Sequence, residues 1–356
     1  MRYLPTLAGL LSGAALSALA LAAPAHAELG FNGDGPEIEL RDLVARVVVT
    51  PENRSDIDVR VRYGKAKVPT LMVSHRGNVT VLDGHLSSIQ RNLSFKINFN
   101  VNDDDENHAN GRVFISGVGD VDINDLPMVF IHVPMNAEVK DSAYTFGTIG
   151  PSNSLNFILN GSGDWNISPV NGPLNIIDSG SGSVRVASAG DSVIDNMGSS
   201  DIQVGRVRHL KLSLSGSGSF KSDQSDDTQL QNMGSSDVQL GHVGLLKAQL
   251  NGSGDLSLDG VGNGLTLINT GASDVTINRL NGPAMLQMTG SGDVHIQSGQ
   301  ADSFVVHGTG SGDVDFNGTA GTVSVDTSGS GDVRITRATG SVTQHVNGSG
   351  ETHIGH

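Results

Sequence analysis

Apolar and polar residues alternate in short segments that return about every 19 residues along the second half of the chain. In ten of eleven such segments the first position is apolar, and the position two residues later is apolar equally often. The residues at the first position are Trp165, Val184, Ile202, Phe220, Val238, Leu256, Val275, Val294, Val314, Val333 and Thr352. The residue between the two positions is polar in every segment. Because successive side chains of a strand point to opposite faces, this pattern predicts strands with one buried face.

A phrase rich in glycine and serine precedes each alternating segment. Its first copy is Gly161-Ser162-Gly163-Asp164, its last is Gly348-Ser349-Gly350-Glu351, and eleven copies lie in frame. Glycine suits tight corners, and Ser and Asp side chains bond the backbone of turns. A second strand precedes each corner, so one unit reads strand, corner, strand and return turn. Identical corners at a fixed period predict an all-β fold: a single-stranded parallel β-helix, or solenoid, which we expect to be right-handed.

The sequence does not decide how many residues form one coil, because some residues also recur at about twice the repeat length. Asn196, Asn232 and Asn269 stand two residues before their corners and lie 36 and 37 residues apart, with leucines at the same place in the intervening corners. Either one coil has about 19 residues and the buried residue alternates, or one coil has about 37 residues with two similar corners. In the second case the three Asn side chains would stack as an internal ladder.

The region before the repeats divides into a leader and a β-rich cap. Residues 1–27 have a basic start at Arg2, an apolar run at 7–22, Pro24, and the small-x-small site Ala25-His26-Ala27, which predicts a secretory signal peptide. We interpret residues 28–127 as an N-terminal cap and residues 128–356 as the repeats. The strands predicted before the first of the eleven corners are 43–49, 57–61, 93–101 and 128–133, with an exposed acidic loop at 102–110. Gly117-Val118-Gly119-Asp120 is interpreted as an early corner.

The amino-acid composition of the chain excludes several kinds of site and binding partner. The chain has no cysteine, which excludes disulfides and thiolate metal sites. The formal net charge is −15, and loss of Arg2 with the signal peptide changes it to −16. Nucleic acid and anionic membrane surfaces require basic faces, so neither is an expected partner. We expect an exported protein of the bacterial periplasm or cell surface, without a membrane span after signal cleavage.

Carboxylates at the corners are the candidate metal ligands. If coils stack about 4.8 Å apart, neighbouring carboxylates repel each other and need compensation. The preferred interpretation is that each one accepts backbone N–H bonds within its own turn. The alternative is that calcium ions lie between some of the carboxylates; no other cofactor is expected. The calcium candidates are Asp237, Asp255, Asp274, Asp293, Asp313 and Asp332. The histidines of the repeats, such as His295 and His307, lack metal-site spacing and are interpreted as scattered surface residues.

The repeats resemble a known bacterial family. The phrase Asn-Gly-Ser-Gly-Asp at 160–164 and 251–255, a Val-rich strand at 47–49 and the segment 131–137 resemble the family described as "putative auto-transporter adhesin, head GIN domain". The resemblance implies a β-helical fold in an exported protein with no established reaction. It implies no catalytic residues.

We therefore expect a non-catalytic binding or adhesion-like module, with a cell-surface polysaccharide or an envelope protein as partner. The alternatives are a carbohydrate-active β-helix enzyme of the polysaccharide lyase or hydrolase type, and a purely structural envelope protein. Catalysis by paired carboxylates needs two specific groups at a set separation, and the corner Asp residues do not single out a pair. An enzyme should show a groove in which a few repeats break the pattern, whereas a binding module should show regular polar ladders.

Overall fold

The computed structural model of the protein describes residues 28–88, 111–115 and 117–356. The predicted signal peptide (1–27), the predicted strand at 93–101 and the predicted loop at 102–110 lie outside the described residues. The described part is all-β, with two short 3₁₀ turns and no α-helix. None of its helical segments has the length and apolarity needed to span a bilayer.

The strands are β1 (Glu28–Asp34), β2 (Glu37–Glu52), β3 (Asp56–Arg62), β4 (Met72–Arg76), β5 (Val79–Asp83), β6 (Arg112–Ile115), β7 (Gly119–Asp122), β8 (Met128–Pro134), β9 (Asn136–Ile149), β10 (Ser154–Leu159), β11 (Ser162–Ile167), β12 (Leu174–Asp178), β13 (Ser181–Ala189), β14 (Ser192–Asn196), β15 (Asp201–Leu214), β16 (Phe220–Asn232), β17 (Val238–Leu250), β18 (Leu256–Asn269), β19 (Val275–Ile277), β20 (Leu280–Asn281), β21 (Ala284–Met288), β22 (Val294–Ile296), β23 (Gly299–Gly308), β24 (Val314–Thr327), β25 (Val333–Ala338), β26 (Val342–Val346) and β27 (Thr352–Ile354). The 3₁₀ turns are Leu86–Ser88 and Ile123–Asp125.

Each coil of the solenoid pairs in parallel with the coil before it. Successive partners in one buried column are Ile202, Phe220, Val238, Leu256, Val275, Val294, Val314, Val333 and Thr352. Each partner follows the previous one by about 19 residues in the sequence, so one coil has that length and the coil of about 37 residues is excluded. The predicted parallel β-helix is confirmed, with about 12 turns.

The core is a continuous apolar column along the solenoid axis. The predicted inward positions are buried in every coil but the last, where Thr352 and Ile354 are partly buried. Trp165, the only tryptophan, is 0% exposed. Its ring meets Phe157 edge-on at a centroid distance of 5.1 Å. Phe304 and Phe316 stack with centroids 4.7 Å apart. Each coil thus buries its own apolar residues against its neighbours, which is how a repeat protein of this length extends one core.

The N-terminal region is joined to the first coil. Strand β2 pairs in parallel with β9 from Glu37 to Val49, so parallel stacking begins inside the region predicted as the cap. Strand β8 pairs in parallel with β2 and antiparallel with β3, and β1 pairs antiparallel with β3. The predicted boundary at residue 128 stays a prediction.

The early corner predicted at residues 117–120 is wrong. This segment connects β6 and β7, which form a separate antiparallel two-stranded sheet. Val121 and Ile123 are buried as expected, but in a small cluster with Val113 and Leu126, apart from the main core. A single corner phrase without a neighbouring coil to pair with does not specify parallel stacking, and here the local hairpin forms instead.

Candidate functional site

The corner carboxylates form a ladder that links one coil to the next. In each case an Oδ1 atom accepts the backbone N–H of the acidic residue in the following coil, at 2.7–3.2 Å. The acceptors are the six calcium candidates Asp237, Asp255, Asp274, Asp293, Asp313 and Asp332. The expectation that each carboxylate bonds its own turn is wrong at these positions. Charge-assisted bonds between coils offset the repulsion along the ladder, because each carboxylate faces a backbone donor.

Among the described residues no group of three or more His, Asp or Glu side chains could hold a metal ion. The calcium site therefore stays a prediction. The histidines are less scattered than expected, since three of them, His209, His295 and His307, stand beside an Asp of the next coil. His295 Nδ1 lies 3.9 Å from Asp315, and His307 Nδ1 lies 3.9 Å from Asp326. All four side chains are partly or fully exposed, so these pairs contribute little to stability.

Buried polar side chains close every second corner. Asn196, Asn232 and Asn269 each accept the N–H of the corner glycine through Oδ1, and each donates through Nδ2 to the carbonyl four residues later. Leucines stand between them in the same column, so the three Asn do not form a continuous ladder. Each Asn satisfies one backbone donor and one backbone acceptor, as a buried corner requires.

Asp178 occupies the same position one coil before Asn196. Its Oδ1 accepts the N–H of Gly180 at 2.8 Å, but a carboxylate cannot donate the second bond that Asn makes. Burial raises the pKa of Asp178, because the charged form loses hydration.

We expect Asp178→Asn to raise the free energy of unfolding at pH 7 by about 1 kcal/mol, because the amide removes a buried charge and supplies the missing donor. Urea denaturation measures the change. Asp195→Asn, at a half-buried position in the next coil, is the matched control. A decrease in stability at position 178 would show that the carboxylate is required there.

A long groove runs along one face of the solenoid. It crosses six consecutive coils and has a volume of about 840 Å³. Its central column is made of Glu138, Asn156, Asn175, Val193, Lys211 and Gln229, which are direct partners in the sheet. With about 4.8 Å between coils, the column is about 24 Å long. We call this feature the axial groove.

Hydrogen bonds orient the side chains at the start of the axial groove. Asn175 Nδ2 donates to Asn156 Oδ1 at 2.8 Å, and Asn156 Nδ2 donates to Glu138 Oε2 at 2.7 Å. At the groove edge Arg208 binds Asp191 at 2.8 Å. That hydrogen bond lowers the pKa of Asp191, which is the opposite of what a general acid needs.

His209 Nδ1 lies 3.0 Å from Asp227 at the same groove edge. Sequence reasoning missed the axial groove, because its polar residues occupy outward positions that look alike in every coil. The one available signal was the run of amides at equivalent positions, Asn156 and Asn175, which recurs at the coil period.

Residues 245–355 match the model of the family described as "Putative auto-transporter adhesin, head GIN domain". The family resemblance is confirmed there. These GIN-like coils contain five of the six calcium candidates, while all the lining residues of the axial groove lie before them in the sequence. No curated protein matches the chain.

Several solved structures are similar over most of their length. A putative adhesin from Bacteroides fragilis is 11% identical and covers 92% of this chain and 97% of that chain, with a TM-score of 0.22. A putative lipid binding protein from Parabacteroides distasonis is 12% identical and covers 91% and 96%, with a TM-score of 0.21. A putative cell adhesion protein from Clostridium sporogenes is 9% identical and covers 63% and 95%, with a TM-score of 0.21.

Proposed function

We propose that this chain is a non-catalytic, adhesion-like binding module of the bacterial envelope or surface, and that its axial groove holds an extended polysaccharide. The observation that carries the proposal is the length and regularity of the groove. Each of six consecutive coils contributes one side chain to the column, and five of the six side chains are polar and can form hydrogen bonds with a ligand. A polymer with regularly repeated hydroxyl groups can use such a column along its whole length.

The paired side chains favour binding over catalysis. Asn156 and Asn175 are already held by their neighbours, so little side-chain freedom is lost when a ligand binds. The groove carboxylates Glu138, Asp191 and Asp227 each have a hydrogen-bonding or ionic partner. Glycoside hydrolysis instead needs one carboxyl group with a raised pKa facing a second carboxylate across the scissile bond.

The family match supports the adhesion-like part of the proposal, since the matched family is described as adhesin-like. Export and a place at the envelope or surface are part of the same proposal, supported by the signal-peptide pattern of residues 1–27 and by the family match.

The proposal is tested by binding the full chain to an array of isolated bacterial surface polysaccharides. The double variant Lys211→Ala, Gln229→Ala removes two adjacent polar side chains from the groove column and is expected to weaken binding at least about tenfold. Lys221→Ala, Gln239→Ala is the matched control. It removes the same residue types from adjacent coils on another face, and it should bind like the wild type.

The bound polysaccharide should be recovered with its chain length unchanged after prolonged incubation. Shortened chains would contradict the non-catalytic part of the proposal. Equal loss of binding in the two double variants would contradict the assignment to the groove.

A further inference from the structure

A second, smaller cavity adjoins the end of the axial groove. Its volume is about 410 Å³, and the two cavities share Asp227. Its polar lining includes Asp226, His242, Asp259, Asn263, Arg279 and Asn281. We call it the glycine pocket, because Gly244, Gly260 and Gly262 also line it. It has the size of a small-molecule site.

The glycine pocket lies where the repeat is interrupted. Strands β17 and β18 pair in register up to Val243 and Val261, but the next partners are Leu245 and Gly264. The coil of β18 therefore carries one extra residue at this point, and the strand bulges away from its neighbour. Such bulges redirect nearby side chains, which here places Asn263 beside Gly244.

Two of the three glycines are not needed by the fold. A Cβ at Gly244 would lie 2.2 Å from the carbonyl oxygen of Asp226, so glycine is required there. At Gly260 and Gly262 the nearest atoms would be 3.6 and 3.8 Å away, and neither residue has a positive φ. A side chain would fit the backbone at both positions. Glycine at these positions keeps the pocket open.

Several polar side chains that line the glycine pocket have no partner within the described part of the protein. Among the described residues, the side chains of His242, Asn263 and Arg279 make no hydrogen bond or ion pair. Asp259 accepts one long bond, at 3.4 Å, from Asn278. Donors and acceptors therefore converge on the cavity with their hydrogen-bonding capacity unused.

We propose that the glycine pocket binds a neutral sugar ring, the end unit of the polysaccharide held in the axial groove. A sugar hydroxyl can donate to a carboxylate and accept from a guanidinium or amide at the same time, which matches Asp259, Arg279 and Asn263. Three carboxylates face one guanidinium in the pocket, so an acidic sugar is disfavoured. This inference rests on the proposed function, because the pocket continues the same groove.

The test uses methyl glycosides of glucose, galactose and mannose, each added separately to the full chain and observed by saturation-transfer NMR. At least one should bind, and methyl glucuronide should bind at least about tenfold more weakly than that hexoside. Gly262→Val fills the pocket and should weaken hexoside binding at least about tenfold. Gly30→Val, in the N-terminal strand, is the matched control because no atom lies within 4 Å of its added Cβ. Arg279→Gln should weaken binding without filling the pocket.

The outcomes separate this inference from the proposed function. If the polysaccharide binds and only the groove variant weakens it, while Gly262→Val and Arg279→Gln bind like the wild type, the inference is wrong and the proposed function stands. Preference for the glucuronide also overturns the inference. If neither the polysaccharides nor the hexosides bind the wild type, both are overturned. Loss of hexoside binding in Gly262→Val with retention in Gly30→Val supports the inference.

Discussion

Gly290→Ala is expected to lower the free energy of unfolding by about 4 kcal/mol, because a single added methyl group meets the backbone of the neighbouring coil. A Cβ at Gly290 would lie 1.7 Å from the carbonyl oxygen of Gly271. That backbone also accepts the N–H of Ser291 at 3.1 Å, so it cannot retreat without breaking the parallel ladder. No rotation of a side chain relieves the contact, since a Cβ and a carbonyl oxygen are both fixed by the main chain.

The measurement is thermal and urea unfolding, together with hydrogen exchange in the coils on either side of the substitution. Solenoids lose stability locally, so protection should fall first around residues 271–310. Ser291→Ala, in the same corner but exposed, is the control and should change stability by less than about 0.5 kcal/mol. Equal stability of the two variants would contradict close stacking of the corners.

The same close approach explains why the sequence left the coil length open. The third corner residue alternates between Ser200, Gly218, Ser236 and Gly254 in successive coils. A Cβ at Gly218 would lie 2.0 Å from the carbonyl oxygen of Ser200, and one at Gly254 would lie 2.0 Å from that of Ser236. Two kinds of corner therefore alternate along the axis. The longer period seen with the buried Asn residues belongs to this alternation, while the coil itself has about 19 residues.

The buried columns could be predicted from the sequence, whereas the candidate site could not. Period-two alternation places Trp165 and Phe220 inside, because burial of large apolar residues dominates the energetics of each strand. The axial groove and the glycine pocket depend on the path of the return turns. One extra residue near Asn263 opens the pocket, and this insertion is invisible in a pattern whose spacing already varies from coil to coil.

The corner carboxylates show a second limit of sequence reasoning. A backbone N–H bond to Asp255 satisfies the carboxylate equally well whether the donor belongs to its own turn or to the next coil. The structure places the donor in the next coil, at Asp274. The ladder thus joins successive coils through side chains as well as through the sheets. This adds a reason for an acidic residue to recur at nearly every corner.

The carboxyl group of Asp141 is fully buried, with 0% of the residue exposed. Its side chain accepts hydrogen bonds from Trp165 Nε1 at 2.9 Å, from the N–H of Ala143 at 3.0 Å and from the hydroxyl of Thr145. Burial nevertheless raises its pKa from 3.8 to about 6, because loss of hydration outweighs these three donors.

The raised pKa makes the contribution of Asp141 to stability depend on pH. The folded state holds the proton more tightly than the unfolded state, so this contribution is fully present below pH 3.8 and is lost as the pH rises through about 6. A shift of this size corresponds to about 3 kcal/mol between the two limits. Asp141→Asn removes the titration. The stability of the variant relative to the wild type should therefore rise by about 2 kcal/mol between pH 4 and pH 7, which is most of the full difference.

Urea denaturation of both proteins from pH 4 to pH 7 measures this difference. At pH 4 the wild type should be the more stable protein, because the Asn amide turns an N–H group toward one of the three donors that surround Asp141, at a cost of about 1 kcal/mol. At pH 7 the Asp141→Asn variant should be the more stable protein, so the order of stability reverses between pH 4 and pH 7. Asp195→Asn is the control for removing a carboxylate from a less buried position. A constant difference between wild type and Asp141→Asn across this range would show that Asp141 stays charged in the folded protein, with its three donors outweighing the cost of burial.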